Sequence, residues 1–321
     1  MSIRELHFEL SVRQIGFAVL LVAVAAGILG LSQWVIGPNT ATAGYLTMLF
    51  LLSVVRTGSW RARLLSVAWA LAVALLGFSV GGVGIWATLI ALIIVSLIQG
   101  FVTIGETALL TRSTVNLLAF AALSESGAQL WQVVLGSAIG AAVIITFALI
   151  ANERSTDVRI STTLRERLGY GVATAVGSLI IVLAGNSIGF PYVSWALLSF
   201  SIMLSFDIET RTHRGGLRIV GSAVGAILAV LVSELPAPVP TIAAVICLVL
   251  CVAYINSGNY GLFMLFITPA ILLMTSGEES LWVLGAYRLE SVLFATGIAL
   301  VCGYVLERAV HRPQRHSSGR L

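Results

Sequence analysis

Arg288 is the residue of this sequence best placed to do chemistry. It lies two turns into the last apolar stretch, residues 281–306, and Glu290 follows it by two positions. An ionised side chain at the centre of a membrane helix costs about 2.5–3.5 kcal/mol, so it faces a partner or a water-filled path. A guanidinium grips a carboxylate through two parallel hydrogen bonds. Arg288 is therefore read as a clamp for a carboxylate substrate. The alternatives are a structural ion pair and a side chain snorkelling to the outer interface. Glu290, the carboxylate set well inside an apolar stretch, is read as a proton-coupling acid, with a salt bridge to Arg112 or Arg288 of a neighbouring span as the alternative. Residues two apart sit on different helix faces, so Arg288 and Glu290 are not expected to pair within their own helix.

Further polar residues could join this chemistry. Arg112, expected one turn into its span, is read as a second basic site drawing anions along the cytoplasmic path, or as a topological anchor. Asn256, Asn259 and Tyr260 border a turn at Ser257-Gly258, and Thr268-Pro269 are expected to break the following stretch midway. Broken helices with polar neighbours mark binding sites in transporters, because the freed backbone groups need protein or cavity water; a simple kink is the alternative. The candidate substrate-binding set is thus Arg288, Arg112, Asn256, Asn259, Tyr260 and Thr268, with Glu290 for proton coupling. Arg218, at the mouth of another stretch, is read as an anchor. Gly221 with Gly225, and Gly136 with Gly140, form small-x-x-x-small faces that let helix backbones approach closely.

Other chemistries find no support. The Gly-Gly pairs at 81–82 and 215–216 lack the lysine and strand context of a phosphate loop. His7, His213, His311 and His316 lie in polar segments, which leaves no zinc set or catalytic triad inside the apolar runs. Cys247, Cys251 and Cys302 lie inside apolar runs and suggest no disulfide framework. No catalytic residue, metal or cofactor is expected, and the chain is not expected to be an enzyme.

The elements that position these residues follow from composition. The chain has 321 residues, 58% hydrophobic and 10% charged, with a mean hydropathy of +1.02. A soluble domain runs near 45–50% apolar and about 25% charged. Soluble globular, disordered, nucleic-acid-binding and single-span classes are excluded. A span takes about 20 apolar residues, and the pattern predicts an all-α protein with about twelve. They are drawn at 15–37, 42–56, 62–80, 83–104, 108–124 and 129–151, then 168–188, 191–206, 214–233, 238–256, 259–276 and 281–306. The first span is read as retained, its apolar run being too long for a signal peptide.

All 18 basic residues are arginine. With twelve alternating spans, every arginine outside the spans falls on one side, while Glu125, Glu234, Glu278 and Glu279 fall on the other. The positive-inside rule then makes both termini and the central linker cytoplasmic.

The halves also repeat. Gly16-Phe17 matches Gly169-Tyr170, Ile36-Gly37-Pro38 matches Ile188-Gly189-Phe190-Pro191, and Leu130-Trp131 matches Leu281-Trp282. An even number of spans per half predicts two parallel six-helix repeats about an axis along the membrane normal. The expected organisation is a first repeat over 1–151, a linker at 152–167, a second repeat over 168–306 and a basic tail at 307–321.

The second half resembles the FUSC family, the fusaric-acid-resistance-like and aromatic acid exporter proteins related to plant malate channels. The likeness is carried by Pro191-Tyr192-Val193-Ser194-Trp195-Ala196-Leu197-Leu198, by the Arg214 to Ala226 stretch, by Asn259-Tyr260 with Thr268-Pro269, and more loosely by Arg288-Leu289-Glu290-Ser291. Ser222 and the Glu290-Ser291 pair depart from the usual pattern. The resemblance implies a transporter of a bacterial inner membrane that exports small, often aromatic, carboxylates. With no nucleotide site, the proton gradient is the expected energy source. A passive anion channel and a non-transport envelope scaffold are the rivals. Expected partners are the organic anion and the lipid bilayer, with no nucleic acid; a homo-oligomer is left open.

Overall fold

The computed structural model describes residues 10–51, 60–103, 112–151, 163–205, 208–257, 259–275 and 280–310. These residues form twelve helices and no strand. They are α1 (Val12–Val35), α2 (Pro38–Leu51), α3 (Trp60–Gly81), α4 (Ile85–Thr103), α5 (Ser113–Glu125) and α6 (Leu130–Ala151). The second half holds α7 (Leu164–Ser187), α8 (Val193–Leu204), α9 (Ile208–Ser233), α10 (Val239–Ser257), α11 (Tyr260–Thr275) and α12 (Leu281–Val310). Six of them are long and apolar enough to cross a membrane, and four shorter ones are strongly apolar. The outer surface is itself apolar, with Leu65, Ile150, Leu231 and Val301 all more than 60% exposed. Such a surface suits lipid and not water. The chain is an all-helical, multi-pass membrane protein.

Several ends differ from the hydropathy reading, each for a local reason. The α7 helix starts at Leu164, inside the expected linker, because Thr163 caps it. The Thr163 hydroxyl accepts from Glu166 N–H at 3.3 Å, and Thr163 N–H donates to the Glu166 carboxylate at 2.6 Å. That reciprocal box satisfies two of the orphan donors of a helix start. Ser11 and Gln14 build the same box before α1. The α12 helix runs on to Val310, four residues into the expected tail. Arg112 precedes α5 as its N-cap residue and does not lie one turn inside it. Pro269 does not break α11, which is continuous through it. A proline leaves the carbonyl four residues back without its N–H partner. Here that carbonyl belongs to Leu265 and sits against the backbone of Gly225, where a Cβ would come within 2.7 Å.

Packing pairs recur six elements apart. The α2–α6 contact is mirrored by α8–α12, α3–α5 by α9–α11, and α1–α10 by α7–α4. Glycines set the closest crossings. Gly136 and Gly140 of α6 lie on Thr40 and Gly44 of α2, and Gly221 and Gly225 of α9 lie on Met264 and Leu265 of α11.

Arginines close one end of the bundle. Arg112 Nη1 donates to Leu49 O at 2.7 Å, Arg167 Nη1 to Phe101 O at 3.5 Å, and Arg63 Nη1 to Ala148 O at 3.3 Å. Arg211 Nε donates to Met203 O at 3.1 Å, and its guanidinium lies 3.8 Å from the Glu307 carboxylate. These carbonyls end α2, α4, α6 and α8, the partially negative ends of those helices. Exposed Trp34, Trp86, Trp131 and Trp282 stand at helix ends on the opposite side, as interfacial tryptophans do.

Candidate functional site

The site is built around two buried cations, Arg288 and Arg218. Arg288 sits seven residues after the start of α12 and is only 1% exposed. Its guanidinium carbon lies 5.4 Å from the centre of the Trp195 ring, a cation–π arrangement. Its Nε and Nη1 have no hydrogen-bond partner among the described residues. Trp195 stacks on Tyr192 with ring centres 4.1 Å apart, and Tyr287 packs against Tyr192 and Phe190 at 5.8 and 5.5 Å. The aromatic residues come from the start of α8, the segment before it and the start of α12. They cover Arg288 at the end of the bundle away from the arginine caps.

Arg218 is a correction. Hydropathy places it at the mouth of a span as an anchor, but α9 begins at Ile208, so Arg218 lies ten residues into the helix and is 1% exposed. Its Nη1 donates to Tyr260 Oη at 2.9 Å and to Met264 Sδ at 3.2 Å, and its Nη2 donates to Ser199 Oγ at 2.9 Å. Ser199 spends its own proton on the Trp195 carbonyl, 2.9 Å away, which turns its lone pairs to Arg218. Arg218 and Arg288 are close enough to repel each other electrostatically.

Both guanidiniums line one cavity of about 170 Å³ set among α2, α5, α8, α9, α10, α11 and α12. Arg112 reaches the same cavity while it caps α2. The rest of the wall is mostly apolar, including Leu49, Phe50, Ile202, Phe263 and Ile267, and no described lining residue is Asp or Glu. Three cations gathered in a mostly apolar wall suit an anion with an apolar body.

The other candidates fall in different places. Tyr260 holds Arg218 through its phenol, and its ring lies 5.5 Å from the Arg214 guanidinium carbon. Asn259 caps α11, its Oδ1 accepting from Leu262 N–H at 3.2 Å. Thr268 is fully buried, bonds to Met264 O at 3.2 Å and approaches Ser222 Oγ at 3.4 Å, so it packs α11 on α9. The Asn256 side chain lies outside the described residues. Glu290, expected as a proton-coupling acid within the span, is exposed, and the alternative salt bridge is not formed: it has no ion pair to Arg288 or Arg112 among the described residues. It opens on a separate groove between α7, α8 and α12. The physical reason is the spacing, since two residues rotate about 200° around a helix.

Sequence reasoning missed Arg218, Ser199 and Trp195. A signal for Arg218 exists: Arg211, Arg214 and Arg218 are spaced i, i+3, i+7, a single helical stripe.

Residues 179–302 match the family model described as fusaric acid resistance protein-like. That segment contains Ser199, Arg218, Tyr260 and Arg288. No curated protein and no solved structure matches the chain.

Proposed function

We propose that this chain, whose residues 179–302 match the fusaric acid resistance protein-like family model, exports small organic carboxylates, aromatic ones among them. The observation that carries the reading is the cavity: Arg112, Arg218 and Arg288 line it together, and none of its described lining residues is Asp or Glu. In this reading Arg288 and Arg218 grip the carboxylate, and Arg112 raises the local anion concentration at the capped end. The apolar wall takes the organic body. Two parallel six-helix repeats frame the path; the recurrence of packing pairs six elements apart supports that layout. By the positive-inside rule, the capped end with both termini faces the cytoplasm of a bacterial inner membrane.

Energy comes from the proton gradient in this proposal, since the sequence offers no nucleotide-binding loop. Glu290 shares α12 with Arg288 but opens elsewhere, so any coupling through it acts by moving the helix. The aromatic cover over Arg288 favours a carrier over an open anion channel.

Reconstituted protein tests the proposal, with efflux of benzoate and cyclohexanecarboxylate measured against benzyl alcohol. Arg288→Lys and Arg218→Lys keep the charge but lose the fork, and each is expected to lower carboxylate flux by about 10- to 100-fold. Melting of both variants should stay near the parent's. Flux unchanged by both variants overturns the reading.

A further inference from the structure

The groove that holds Glu290 has a volume of about 390 Å³, larger than the arginine-lined cavity, and is formed by α7, α8 and α12. Its walls are apolar, among them Ile181, Gly185, Ile188, Val193 and Phe294. Its polar side chains are Glu290, Ser187 and Ser291. The Ser187 hydroxyl donates to Ala184 O at 2.8 Å, and the Ser291 hydroxyl donates to Arg288 O at 2.7 Å. With their protons committed, both serines offer lone pairs alone, and an ionised carboxylate also only accepts. The backbone at the groove's end is spent too, because Ile188 N–H bonds to Ala184 O and Phe190 N–H to Gly185 O. The described polar side chains of the groove therefore present acceptors and no donor.

Depth adds to this. Glu290 is nine residues from the start of α12, or about 13 Å along the helix. It is exposed and has neither a hydrogen bond nor an ion pair among the described residues. A charge at such depth persists when it is paired or wet. An ammonium group is the complement: three donors, no acceptor and one positive charge.

We infer that this groove is a second ligand site, separate from the arginine-lined cavity, which takes an amphiphile whose polar end is a primary ammonium. The ammonium sits on Glu290 and the two serines, and the apolar tail lies along α7 and α12. The ligand approaches from the leaflet at the uncapped end of the bundle. An ethanolamine phospholipid and a free alkylamine share this chemistry. The inference does not depend on the carboxylate-export reading, since no cavity arginine lines the groove.

The test uses the full chain in phosphatidylcholine nanodiscs, with native mass spectrometry as the readout. Dodecylamine and dodecanol have the same tail and differ in the ammonium. The amine is expected to bind roughly tenfold or more tightly than the alcohol, and Glu290→Gln should bring the two to parity. Glu290→Asp should keep part of the preference, and an unchanged melting temperature certifies each variant's fold. In a parallel arm, nanodiscs containing phosphatidylethanolamine show whether one such lipid is retained by the parent and lost from Glu290→Gln. Retention assigns the site to the lipid, whereas an amine preference without retention assigns it to free amines. Equal binding of amine and alcohol with no retained lipid overturns the inference, as does a preference that survives in Glu290→Gln.

Discussion

The α2–α6 and α8–α12 crossings recur six elements apart in the chain, yet one is closed by glycines and the other carries a cluster of aromatic rings around a guanidinium. The comparison can be made residue by residue from the Leu-Trp pair that starts α6 and α12. Six positions on stand Gly136 and Tyr287, seven on Ser137 and Arg288, and ten on Gly140 and Ser291. In α6 the two glycines bring the helix onto the backbone of Thr40 and Gly44, and no room is left for a side chain. In α12 the Arg288 guanidinium lies over the Trp195 ring of α8, and Tyr287 packs against Tyr192, which stacks on Trp195. One contact scheme thus serves as a rigid seam in the first half and as a chemical site in the second. The lesson is that two or three side-chain volumes at a crossing decide whether it carries structure or function.

The largest expected effect falls on the rigid seam. Gly140→Leu drives a side chain into the Gly44 backbone, which cannot give way, and should cost about 3 kcal/mol or more. Loss of folded protein in size-exclusion profiles checks it. Tyr287→Leu in the α8–α12 crossing should fold normally and change flux instead; if it also failed to fold, the division between seam and site would collapse.

Gly225→Ala comes next. The new Cβ would meet the Leu265 carbonyl at 2.7 Å, beside Pro269. A loss of about 1–3 kcal/mol is expected, read as a lower melting temperature in detergent. Gly216→Ala is the internal control, since nothing lies within 4 Å of a Cβ there.

Tyr260→Phe removes the phenol oxygen that accepts from Arg218 while keeping the ring. One hydrogen bond to a charged group is worth about 1.5–3 kcal/mol, so carboxylate flux should fall by roughly tenfold. The melting temperature should move far less than for Gly225→Ala. An unchanged flux would remove Arg218 from the site and leave Arg288 to act with Arg112.

The smallest effects compare the two helix starts. Ser11→Ala and Thr163→Ala each delete one capping box, and each should cost about 1 kcal/mol. Melting curves of the two variants are expected to shift by similar amounts. A shift in only one would show that the halves do not contribute alike.

Much of this fold is legible without coordinates. The capping boxes Ser11-x-x-Gln14 and Thr163-x-x-Glu166 stand 152 residues apart, in step with the repeat seen at Ile36-Gly37 and Ile188-Gly189. Arg288 announces itself by depth alone. Arg218 does not, because a hydropathy window ends a span where arginines cluster, while the backbone runs on as helix through Arg211 and Arg214. Glu290 misleads for the opposite reason: depth along the helix is readable, but which way the carboxylate faces depends on what packs around it.

The sequence by itself determined the solvent and the helices. Apolar content sets the first, since so few polar groups cannot cover a water-facing surface. The second follows from backbone hydrogen bonding in lipid, which leaves helices as the form these apolar runs can take. Arginine placement is the ground for the orientation proposed above. Only the tertiary structure decided which cations meet. Arg112, Arg218 and Arg288 are separated by 106 and 70 positions, on α9 and α12 and just before α5. Periodicity assigns a residue to a face of its own helix, but it holds no information about the helix that face will meet. That choice is made by packing, through the glycines that close some crossings and the aromatic rings that fill another.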